Sequence, residues 1–134
     1  MKTFKYDKLI RDHIEDLATQ DWAQLDAEYI DGEKKVKALI IKIGEESEEL
    51  LNALSHEEKI SELWDLQEII DALCETLWIS KDELIAAQTA KRAKKWWFSK
   101  WLYAHTMTVG EDHPRYTYFK ENPDKYPDKY PEIE

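Results

Sequence analysis

The feature that most restricts the fold is a pair of helix-forming segments joined by almost no chain. Val36, Leu39, Ile40, Ile43, Leu50 and Leu54 recur on a helical period and predict an amphipathic helix over about 33–54. Ser55 followed by Glu58 has the spacing of a capping box, in which each side chain satisfies the other residue's backbone N–H. A second long helix is therefore expected from Ser55 to about Trp78. So short a link makes the two helices an antiparallel hairpin. Ser80 and Glu83 repeat the signal and predict a third helix over about 81–95. Leu9, Ile10, Ile14 and Leu17 suggest a shorter one from about Lys8 to Ala18, with 19–33 as a connection turning at Asp31-Gly32.

An all-α fold follows, a helical bundle over 1–106 with a Pro/Tyr-rich tail over 107–134. Three glycines, four prolines that all lie beyond residue 113, and long stretches of Leu, Ala, Glu and Lys suit helices rather than a sandwich or barrel. The tail carries PDKY twice, at 123–126 and 127–130, and proline at that spacing prevents a regular helix. Two readings of it stand: disorder, or packing of its tyrosines along the bundle or against another subunit. The longest aliphatic run, Ala38-Leu39-Ile40-Ile41, is far short of a membrane span, and MKTFKYDK lacks the apolar stretch of a signal peptide. A cytoplasmic protein without a membrane partner is expected. Cys74 is the single cysteine, which excludes an internal disulfide and a cysteine-rich zinc site, and its apolar surroundings suit a small buried side chain. The formal net charge of −10 disfavours nucleic acid as a partner.

The chemistry lies in the carboxylates. Glu46 and Glu49 stand about as far before the hairpin turn as Glu62 and Asp65 stand after it, so all four can converge at one height. Glu46 lies seven residues after Leu39, and Glu62 lies four before Leu66 and seven before Ile69. Both acids thus interrupt apolar stripes, where a carboxylate is costly unless neutralised, paired or bound to metal. Glu49 and Asp65 lie at the margin. Glu45, Glu48, Glu57, Glu58 and Glu68 point farther outward and are explained by solvation. Hard cations such as Mg²⁺, or Mn²⁺ in its place, suit carboxylate oxygens. None of His13, His56, His105 or His113 has a Glu three residues before it, so the di-iron bundle pattern is absent. Acidic pairs on consecutive helices also occur without a metal, and the residues alone leave both readings open.

Glu45-Glu46-x-x-Glu49, followed after twelve residues by Glu62-x-x-Asp65, resembles the EExxE…ExxD signature of the all-α nucleoside triphosphate pyrophosphohydrolases, the MazG-like and phosphoribosyl-ATP pyrophosphohydrolase superfamily. Lys42-Ile43-Gly44-Glu45-Glu46 resembles the KIGEE of the phosphoribosyl-ATP branch. Lys8-Leu9-Ile10-Arg11-Asp12 resembles the KLVRDKI start of small stand-alone MazG-like proteins, and the likeness runs from about residue 6 to 102. The resemblance implies a Mg²⁺-dependent hydrolase that cleaves the α,β phosphoanhydride of a nucleotide to a monophosphate and pyrophosphate. It makes Glu46, Glu49, Glu62 and Asp65 the metal ligands, and Glu45 a further ligand or water-orienting base. It also implies a homodimer or homotetramer.

Residues 91–101, KRAKKWWFSKW, align with a stretch that in relatives often reads K-x-x-R-G-G-F. Trp96 and Trp97 replace the glycines and Lys95 the arginine, and tryptophans cannot turn a backbone as glycines do. Lys91 and Lys95 either bind substrate phosphates or face the negative end of the third helix, and the tryptophans either stack on a base or close the core. Lys8 and Arg11 contact phosphate or belong to a solvated helix face. Trp64, Ile70, Leu77 and Trp78 spread around the second helix beyond one face, as if to meet a second subunit. The expected activity is that of a nucleotide pyrophosphohydrolase. Its rivals are a non-catalytic helical-bundle interaction protein and a phosphoribosyl-ATP pyrophosphohydrolase of histidine biosynthesis.

Overall fold

The computed structural model describes residues 1–128, and every regular element among them is a helix. In chain order these are α1 (His13–Gln20), α2 (Gly32–Asn52), α3 (His56–Thr76), α4 (Lys81–Lys95) and α5 (Tyr116–Lys120). They fall into two compact units, Met1–Lys95 and Trp96–Glu134.

The capping signals decide where α3 and α4 begin. Ser55 Oγ accepts the Glu58 N–H at 3.0 Å, and Glu58 Oε2 accepts the N–H groups of Leu54 and Ser55 at 2.7 and 3.0 Å. Ser80 Oγ likewise accepts the Glu83 N–H at 3.2 Å, and Glu83 accepts the Ser80 N–H at 2.8 Å. Each box satisfies donors that a helix start otherwise leaves to water. The link between α2 and α3 is therefore three residues long, 53–55, and the helices fold back on each other as the expected hairpin. Asp31 caps α2 by accepting the Gly32 N–H at 2.7 Å.

The first helix is shorter than its apolar spacing suggests. Lys8–Asp12 is irregular, and α1 starts only at His13, after an Asp12 that makes no side-chain cap bond. Lys8 and Arg11 instead pair with acids of α2 and α3, a long-range electrostatic attraction that local periodicity does not register. α3 also stops before Trp78, at Thr76.

The core of this unit is small. α2 and α3 pack along their lengths, and the apolar side chains they bury are Leu39 and Ile69, at 5% and 6% exposure. Ile40, Ile41, Ile60, Leu63 and Trp64 stay exposed on the same helices, and α4 buries nothing. Cys74 is half-buried rather than buried.

Tail residues form their own cluster. Where an irregular tail is expected, α5 follows Pro114, and Phe119 lies 6.1 Å from Tyr118 and 4.8 Å from Tyr126 between ring centres. Proline near a helix start is compatible with the helix, since its missing N–H has no intrahelical partner there. The end of the second PDKY repeat, Lys129-Tyr130, lies outside the described residues.

Helix C-termini contrast with the N-termini. After α1, the Trp22 N–H donates to Thr19 O at 3.2 Å and the Ala23 N–H to Ala18 O at 2.9 Å. After α3, the Trp78 N–H donates to Glu75 O at 3.2 Å and the Ile79 N–H to Cys74 O at 2.8 Å. These are Schellman closures, which require a left-handed residue just past the helix and usually place glycine there. Trp22 and Trp78 occupy it with φ of 62° and 58°. For an L side chain that region costs about 1–2 kcal/mol.

Candidate metal centre

Three glutamates meet across the hairpin. One carboxylate oxygen from each of Glu46, Glu49 and Glu62 lies within 4.8 Å of the others, and among the described residues this is the group of acids, histidines and cysteines able to hold an ion. The register follows from the three-residue link: positions about equally far from the turn face each other on antiparallel helices. Glu46 is 5% exposed, level with the core residues Leu39 and Ile69, so an acid does interrupt the apolar stripe as its spacing implies. Glu49, from the margin, joins it while remaining exposed.

Asp65 is not in the cluster. Arg11 Nη2 takes its carboxylate in an ion pair, and Arg11 Nη1 stands 3.8 Å from Glu68. Three of the four expected ligands thus converge, and the fourth is held by the N-terminal segment. The solvated-face reading of Lys8 and Arg11 gives way to ion pairing, since both side chains lie against the acidic helices. Lys8 Nζ donates to Glu45 Oε1 at 2.9 Å. Glu45 therefore does not simply point to water, and Glu68 does not either.

Lys42 is the site residue that sequence reasoning missed. Its Nζ stands 3.0 Å from Glu46 Oε1 and 3.7 Å from Glu45 Oε1. The signal was present in the sequence, because Lys42 precedes Glu45 by three residues and Glu46 by four, a spacing at which helix side chains meet. It passed as part of a motif instead.

The charges of the cluster are unbalanced. Burial, and then the carboxylates of Glu49, Glu46 and Asp65, push the Glu62 carboxyl above its ordinary range. Glu62 Oε2 is a buried oxygen without a hydrogen-bond partner. The Lys8 hydrogen bond holds Glu45 below its ordinary range despite burial, and the same bond raises Lys8. Glu45 is thus neutralised by a neighbouring cation, whereas Glu62 faces like charges and an unsatisfied oxygen. Among the described residues no hydrogen bond answers Glu62 Oε2, and a divalent cation would offset that cost.

Beside the cluster a groove runs under the N-terminal segment, lined by Leu9, Ile10 and Arg11 on one side and by Lys42, Glu46 and Asp65 on the other. It places cationic and apolar surface next to the acids.

The remaining candidates lie elsewhere. Lys91 and Lys95 stand exposed on α4, and Lys95, with Arg92 and Lys94, lies in the last turn, where cations complement the helix dipole. Trp96 and Trp97 are 75% and 61% exposed, so they do not close a core. Trp96 adopts φ of 65°, and the backbone after α4 makes a left-handed turn even with an indole in place of glycine.

Comparison with family models, with curated proteins and with solved structures gives no match. Among the described residues no helix is long and apolar enough to cross a membrane.

Proposed function

We propose that the protein is a Mg²⁺-dependent nucleotide pyrophosphohydrolase of the MazG-like type, with Mn²⁺ able to substitute. Glu62 Oε2, buried and unpartnered within a group of three converging glutamates, carries this reading. Glu46, Glu49 and Glu62 would hold the ion, with Asp65 available to it if Arg11 releases it. A bound ion there supplies charge neutralisation for a triphosphate and a water of lowered pKa. Glu45, kept ionised by Lys8, accepts a hydrogen bond from the attacking water and orients it toward the α,β anhydride. Lys8, Arg11 and Lys42 bring positive charge to the phosphates, each already positioned against an acid of the site.

A second copy of the chain belongs to the same reading. A chain of this length ordinarily buries about two thirds of its unfolded surface, and two buried apolar side chains among the described residues fall far short. The apolar faces of α2 and α3 are suited to a partner bundle, in a homodimer or a tetramer of such dimers.

Pyrophosphate release from mixed NTPs and dNTPs with Mg²⁺ tests the activity. Wild-type protein is expected to release it, and Glu62→Gln to lose on the order of 100-fold or more. Folded wild-type protein that releases none contradicts the reading and favours a non-catalytic bundle that docks through its exposed apolar helices.

A further inference from the structure

Apart from glycine, five of the described residues take a positive φ: Asp7, Trp22, Trp78, Trp96 and Trp101. Aspartate visits this region through local hydrogen bonding, but a bulky aromatic residue there is an outlier. Four of the six tryptophans are such outliers. Their settings are glycine settings: Trp22 and Trp78 close Schellman motifs, Trp96 follows the last residue of α4, and Trp101 closes a turn by donating to Phe98 O at 3.0 Å.

Strain of this kind persists where packing or function holds it in place. Packing does not, since Trp22, Trp78, Trp96 and Trp101 are 93%, 93%, 75% and 85% exposed. Each indole projects from a backbone that disfavours it.

Composition points the same way. Average usage calls for about nine glycines in a chain of this length, and there are three. The six tryptophans make up the deficit. Independent selection of tryptophan at four unrelated turns is a poor explanation; one cause acting on the residue type is a simple one. The codon UGA is a stop in the standard genetic code, is assigned to tryptophan in some variant codes and to glycine in others.

We infer that the tryptophan positions of this chain are glycine positions, occupied by glycine in the protein as its source makes it, because UGA is read there as glycine. This inference rests on backbone geometry and stands independently of the proposed activity. A UGA codon is read alike at every site, so positions 64 and 97, where φ is ordinary, follow the other four if their codons are also UGA. Position 64 lies in α3 between Glu62 and Asp65, where glycine in place of a 61% exposed indole uncovers the helix surface beside the carboxylates. The aromatic surface at 96, 97 and 101 disappears altogether.

The test reads the gene and the native protein together. All six codons are expected to be UGA, and peptide mass spectrometry of the protein isolated from its source is expected to find glycine at 22, 64, 78, 96, 97 and 101. UGG codons, or tryptophan in the native peptides, overturn the inference. Tryptophan at 64 or 97 from a UGA codon, with glycine at the four strained positions, overturns the codon as its cause. A second measurement addresses the geometry. Chain carrying Trp22→Gly, Trp78→Gly, Trp96→Gly and Trp101→Gly is expected to melt at a higher temperature than the tryptophan form, and a lower melting temperature contradicts the glycine assignment of these sites.

Discussion

The N-terminal ends of α3 and α4 and the C-terminal ends of α1 and α3 differ in how sequence and backbone agree. At the former, Ser55 with Glu58 and Ser80 with Glu83 supply the side chains that the backbone needs. At the latter, Trp22 and Trp78 occupy a conformation that suits glycine. Agreement at one end and conflict at the other shows that the conflict is not a general looseness of the chain. It is attached to one residue type.

The acid cluster shows a related contrast within the hairpin. Glu46 is buried and answered by Lys42, whereas Glu62 has a buried oxygen with no hydrogen-bond partner among the described residues. Removing the cation therefore gives the largest expected effect on stability. Lys42→Met leaves Glu46 buried among carboxylates without its partner and is expected to destabilise the metal-free protein by about 3 kcal/mol. Denaturant unfolding measures it, and an unchanged midpoint means that Glu46 does not depend on Lys42.

A smaller effect of opposite sign is expected at the helix ends. Trp78→Gly removes left-handed strain at a residue that packs against little, and is expected to stabilise by up to about 1 kcal/mol after the entropy of glycine in the unfolded chain is deducted. A loss of stability would show that the indole is held by an interface, which ties Trp78 to assembly. Ser55→Ala, at the well-matched end, is expected to cost about 1 kcal/mol. The two substitutions together sharpen the contrast between ends.

The smallest effect is the pH dependence of the caps. Backbone donors at Ser55 and Leu54 hold Glu58 below the ordinary carboxylate range, and the Ser80 donor does the same for Glu83. Their folded-state values lie below their unfolded ones. The stability they contribute is thus complete above the ordinary carboxylate value and is lost as pH falls through the lowered folded-state values. The difference in unfolding midpoint between wild type and Glu58→Gln is expected to shrink as pH falls below about 4. A difference that is constant with pH would show that the cap does not depend on charge.

What the sequence disclosed and what it withheld follow from the range of the interactions. The hairpin, the start of α3 and the whole of α4 rest on local rules, namely apolar period and capping, and these are legible without a structure. The convergence of Glu46, Glu49 and Glu62 was legible because a three-residue link fixes the register. The pairing of Arg11 with Asp65 joins residues far apart in sequence, so it could not be read, and it cut short the helix expected from Lys8. α5 was hidden because 107–134 read as one Pro/Tyr-rich tail, although the helix itself holds no proline and Pro114 only precedes its start. The left-handed turn at Trp96 ran against the expectation that tryptophan could not replace glycine there.

Thermal unfolding with and without Mg²⁺, on wild type and Glu62→Gln side by side, tests the glutamate cage most directly. At a concentration 100 times the dissociation constant, a bound ion stabilises the folded state by about 2.7 kcal/mol, so the wild-type midpoint is expected to rise with Mg²⁺ and the Glu62→Gln midpoint to stay nearly fixed. Equal responses in the two proteins, or none in wild type even with Mn²⁺ and nucleotide present, would contradict a metal centre at Glu46, Glu49 and Glu62.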